Sequence, residues 1–134
     1  MKPIFRKILA ILLGIVIGSL VNMFLVNISG TIIPPPIDAD VTTAEGLKEA
    51  MHLFQPKHFL FPFLAHALGT FVGAFVAAKI APTSKLAFAM GIAIFFFLGG
   101  LATVFMIPSP LWFTIVDLAL AYFPIAYLAK RLAD

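Results

Sequence analysis

Three stretches of this chain, residues 8–29, 59–78 and 86–107, each run for 20 or more residues without an Asp, Glu, Lys or Arg. A helix rises about 1.5 Å per residue, so ~20 residues cross a hydrocarbon core of ~30 Å, and apolar stretches of that length read as membrane spans. A fourth stretch, 111–128, is apolar apart from one acid, Asp117, and contains one proline, Pro124. The expectation is an all-α membrane protein: one integral domain over 1–134, built as a four-helix antiparallel bundle. Its spans fall at 8–29, 59–80, 86–107 and 111–128, with an external segment at 30–58 that carries a short amphipathic helix. Composition excludes a soluble alternative. Hydrophobic residues make up 62% of the chain and charged ones 11%, against roughly 25% charged in soluble domains, too few to cover a water-facing exterior. No segment alternates as a barrel strand does.

The opening MKPIFRKILAILLGIVIGSLV has the basic start of a signal peptide, but its apolar run is longer than such peptides use and no A-x-A site follows. It reads as an uncleaved first span. Seven of the nine basic residues (Lys2, Arg6, Lys7, Lys79, Lys85, Lys130 and Arg131) fall on one side of this topology. That side is expected to be the cytoplasm, with both termini in it. The net charge of +3 is thereby a consequence of topology. The basic residues are scattered in ones and twos, without the clustering that nucleic acid requires, so no nucleic-acid partner is expected.

Within 30–58, TIIPPPID is expected to be extended. After it, Thr42 and Glu45 have capping-box spacing, and Leu47, Ala50, Met51 and Phe54 repeat at helical intervals up to Pro56. His52 and His58 flank this region six residues apart, a spacing that matches no zinc pattern, and only His66 is placed inside the membrane. No metal and no cofactor is expected. Cysteine is absent, which removes disulfides and thiolate chemistry.

The polar residues inside the spans share a level. His66 precedes Lys79 by 13 residues, Asp117 precedes Lys130 by 13, and Asn22 follows Lys7 by 15. All three are therefore ~20 Å from the basic end of their spans. Lipid offers such groups no hydrogen bonds, so they are expected to turn inward. Asn22, His66 and Asp117, joined by Thr70 and Thr103, are expected to form one hydrogen-bonded cluster centred on a His66–Asp117 pair. Small residues repeat every four positions beside them. Ala65, Gly69, Gly73 and Ala77 on the second span, with Gly14 and Gly18 on the first, mark helix-packing faces.

Such a cluster has three readings: glue between helices, proton or ion handling, and ligand recognition. No nucleophile with a base, phosphate loop or carboxylate pair accompanies it, so catalysis is not expected. The leading expectation is a non-enzymatic membrane protein, acting as an accessory or structural subunit or as a self-associating bundle. Its partners would be the lipid bilayer and either further copies of itself or a larger membrane complex. The alternative is a small proton-linked transporter or carrier using His66 and Asp117. The segments IIPPP, MHLFQPKHF and FPFLAHALGTFVGAF together resemble small four-helix inner-membrane proteins of bacteria. That resemblance implies a bacterial inner-membrane location and no particular activity.

Overall fold

The computed structural model describes residues 2–134, and among them every regular element is helical. The first helix, α1 (Pro3–Ile32), begins on a proline whose missing N–H costs nothing in a first turn. It is 30 residues long, about 45 Å, because no breaker intervenes before Pro34. The helix thus overruns the 8–29 expected from charge-free length alone; basic side chains near an end do not stop a helix.

The connection to the next span holds α2 (Ala44–Ala50), a 3-10 turn at Met51–Leu53 and a second one at Pro56–Phe59. Two details differ from the sequence expectation. The cap is Thr43 rather than Thr42: its Oγ1 accepts from the Gly46 N–H at 3.0 Å, while the Asp40 carboxylate accepts from both the N–H and the hydroxyl of Thr42. The helix also stops at Ala50 instead of continuing to Pro56, giving way to the tighter turn at Met51–Leu53.

Two further uninterrupted helices follow, α3 (Leu60–Ile80) and α4 (Lys85–Met106). The last carbonyls of α3 receive cationic donors. Lys85 Nζ donates to the Ala78 carbonyl at 2.6 Å and Arg6 Nε to that of Ile80 at 3.1 Å, where the helix dipole favours positive charge. The fourth span is not continuous. It comprises α5 (Leu111–Leu120) and α6 (Phe123–Ala133), separated at Ala121–Tyr122. Pro124, in the first turn of α6, lacks the N–H that would bond the Leu120 carbonyl, and its ring crowds that oxygen, so the helix ends and restarts. The four apolar helical stretches Pro3–Ile32, Pro56–Ile80, Lys85–Met106 and Leu111–Ala133 are each long enough to cross a membrane, which makes this a multi-pass membrane protein.

Helix α3 is the hub, packed against α1, α4 and α6, while α1 leans on α3 and more lightly on α4. Glycine determines the first of these contacts. A Cβ at Gly14 would stand 2.8 Å from the Gly73 carbonyl oxygen and one at Gly73 2.6 Å from that of Gly14; Gly18 and Gly69 oppose each other in the same way, at 2.7 and 2.9 Å. The backbones therefore touch, a geometry suited to Cα–H···O contacts worth perhaps ~0.5–1 kcal/mol each. Ala77 lies beside Gly14, and Ile92 and Phe96 of α4 press into the groove the glycines leave. The remaining core is mostly alanine, Ala74, Ala77, Ala89, Ala93, Ala126 and Ala129 around Ile92. Small side chains again permit close approach. Outside this seam α1 is largely bare: only 17% of its most apolar stretch is buried, as suits a helix whose other neighbour is lipid.

Candidate functional site: a histidine–aspartate pair at a broken helix

His66 lies two turns into α3 and Asp117 one turn before the break in the fourth span. Their side chains meet directly. His66 Nδ1 is 2.9 Å from Asp117 Oδ1 and 3.0 Å from Oδ2, 51 residues apart in sequence. Asp117 is buried, and the His66 side chain keeps 27% of its surface open. An ionised Asp117 can only accept, which makes Nδ1 the donor in that state, and in every state Nε2 is left free of this bond.

A third residue completes the pair, and the sequence reading did not include it. Tyr122, 1% exposed, stacks its ring on His66 at 5.9 Å between centroids and directs its hydroxyl to Asp117 Oδ2 at 3.4 Å. The hydroxyl occupies the notch of Gly100 on α4, where any Cβ would collide with it. Tyr122 escapes detection because a continuous helix would turn residues 117 and 122 about 140° apart. The break at Ala121–Tyr122 brings it round. Pro124 was the available signal, since a proline at that position predicts the interruption.

The other polar residues of the expected cluster are not bonded to this pair. Asn22, His66, Thr70 and Thr103 instead line one partly open cavity of about 230 Å³, with Phe96 and Tyr122 in its wall. Asn22 is half-buried and sits over Gly69, with its Cβ 3.2 Å from where a glycine Cβ would be. Thr103 is exposed and donates its hydroxyl to the Gly99 carbonyl of its own helix at 2.9 Å. Thr70 is fully buried, and its Oγ1 has no partner among the described residues. The expected hydrogen-bonded cluster is thus corrected to a bonded pair beside a polar cavity: Thr103 commits its hydroxyl to its own helix, and Thr70 makes no bond to the pair.

Of the packing residues, Gly14, Gly18, Gly69, Gly73 and Ala77 lie in the α1–α3 seam, and Ala65 is buried at the cavity wall. Among the described residues, no three His, Cys, Asp or Glu side chains gather as metal ligands. His58 Nδ1 accepts the Gln55 N–H at 2.8 Å, which commits that nitrogen to the turn. Chemically, the arrangement can share a proton between a carboxylate and the imidazole of a histidine that lines a polar cavity. Compared with family models, curated proteins and solved structures, the chain gives no match.

Proposed function

We propose that this protein is a small proton-linked carrier of a bacterial inner membrane, non-enzymatic, with both termini in the cytoplasm. One observation carries the reading: a His–Asp contact of 2.9 Å inside an apolar bundle, beside a broken span and at the wall of a cavity. Intramembrane ionisable residues are expensive to place and mark proton paths, and discontinuous helices line the sites of carriers. The antiparallel bundle belongs to this reading. It is supported by the opposed order of the Gly14–Gly73 and Gly18–Gly69 contacts and by the reach of Arg6 to Ile80. The cytoplasmic side is supported by the gathering of basic residues at that end, and α2 is taken as an amphipathic helix lying on the opposite membrane face.

Reconstitution in liposomes with an imposed pH gradient tests the proposal. Proton flux with the unaltered chain, lost in His66→Ala and in Asp117→Asn, supports it; equal flux in all three ends it. A second reading, an accessory or self-associating subunit, is favoured by the bare flank of α1 and the open side of the cavity. That reading expects a dimer or a co-purifying protein after mild detergent extraction, and a strictly monomeric, unaccompanied chain counts against it.

A further inference from the structure

Two of the residues that line the cavity, Thr70 and His66, carry a polar atom whose bond is unmade among the described residues. Thr70 Oγ1 is buried without a partner, and buried hydroxyls in folded proteins are rarely left so. His66 lies one turn earlier on α3, so the two side chains leave the same face of the helix. With Nδ1 engaged by Asp117, no protein group among the described residues bonds His66 Nε2.

The state of Nε2 follows from counting protons on the pair. With one proton, the contact at 2.9 Å places it on Nδ1, because the other tautomer would set two lone pairs face to face; Nε2 is then an acceptor. A second proton gives either an imidazolium beside a carboxylate or a neutral imidazole that accepts from a carboxylic acid. Nε2 carries a hydrogen in both. Proton uptake therefore converts Nε2 from acceptor to donor, however the pair shares its charge. Among the described residues Tyr122 is the other titratable group against His66, also from the fourth span; α1 and α4 contribute Asn22 and Thr103, which do not titrate.

We infer that the cavity binds a small uncharged solute through a carbonyl-type oxygen that accepts from both the Thr70 hydroxyl and the His66 Nε2–H, so that each molecule bound brings one proton onto the pair. This rests on the proton-linked reading above and names its solute class. Charge selects against ions. The doubly protonated pair is neutral overall, and among the described residues no charged side chain outside the pair lines the cavity, so an anion would find no countercharge and a cation would face the Nε2–H donor. Size favours a small molecule: an apolar cavity of about 150 Å³ takes benzene, so this one, of about 230 Å³, houses roughly nine non-hydrogen atoms.

The test uses the full chain in nanodiscs with 15N-labelled histidine, His66 being assigned by the signal lost in His66→Gln. The probe is N,N-dimethylacetamide, which has an acceptor oxygen and no donor. The ring nitrogens of His66 are followed from pH 4 to 9 with and without it. The expected result is a titration whose midpoint rises with the probe by about one pH unit, a tenfold preference for the doubly protonated pair. The rise is lost in Thr70→Val and kept in Thr70→Ser. A His66 that titrates with a midpoint indifferent to the probe, or a rise that survives Thr70→Val, overturns the solute assignment while leaving the proton reading in place. No titration of His66 at all overturns both.

Discussion

The seam between α1 and α3 and the junction of α3 with the fourth span solve the same problem in opposite ways. Along the seam both helices are uninterrupted, and two glycine pairs bring their backbones into contact. At the junction a helix is interrupted, and a carboxylate, an imidazole and a phenol gather around the interruption. The contrast teaches where polarity is tolerable in a bundle of this kind. Close packing secures the half built of regular helices, and side-chain hydrogen bonds accompany the half whose geometry is broken.

The largest expected effect comes from spoiling the seam. Gly18→Leu would place its Cβ 2.7 Å from the Gly69 carbonyl and 2.9 Å from the Phe96 ring; unfolding in micelles should register a loss of about 3 kcal/mol. At Gly99 nothing lies within 4 Å of a Cβ, so Gly99→Ala should change stability by less than ~0.5 kcal/mol. Equal losses at the two sites would erase the distinction between seam and open face.

Next in size is the coupling at the junction. A double-mutant cycle with His66→Ala and Asp117→Asn should return an interaction of about 1–2 kcal/mol, near the upper end for polar contacts between membrane helices. A value close to zero would mean that the two side chains do not meet in lipid. Tyr122→Phe keeps the ring that stacks on His66 and removes only a long hydrogen bond of 3.4 Å. Its cost should be about 0.5 kcal/mol, and a much greater loss would give the phenol a larger share in holding the pair.

The sequence made the seam and the pair legible for one reason, regularity. A repeat of four marks a face on any continuous helix, which is how Gly14, Gly18, Gly69 and Gly73 could be read as packing residues. Equal distances from Lys79 and Lys130 put His66 and Asp117 at one height, since the break falls between Asp117 and Lys130 without greatly changing the rise. What regularity cannot convey was lost. Tyr122 depends on the interruption at Ala121–Tyr122, and the gap separating Asn22 and Thr103 from the pair depends on how far α1 and α4 stand from it, which no single-helix period encodes. In the loop, Thr42 and Thr43 are adjacent candidates for one cap. Asp40 decides between them by engaging Thr42.

The smallest expected effect lies in that loop and serves as a control on the comparison. Hydrogen bonds from the Thr42 hydroxyl and N–H hold the Asp40 carboxyl below its ordinary value of 3.8. The order they give to the loop is therefore complete above the ordinary value and fades as pH falls through the lower, folded one. Protection of the Thr42 amide, its exchange measured against the unstructured rate at the same pH, should fall in that acid range and stay level above it, and Asp40→Asn should remove the dependence. Neither change should alter the seam or the junction.

The contact between His66 and Asp117 itself is best measured in lipid, as the separation of 15Nδ1 from 13Cγ by magnetic dephasing in a selectively labelled sample. With both oxygens at 2.9–3.0 Å from the nitrogen, the two nuclei should lie less than about 4 Å apart, as a hydrogen-bonded pair requires. A separation beyond roughly 5 Å would contradict the account, because no direct hydrogen bond could then join the imidazole to the carboxylate.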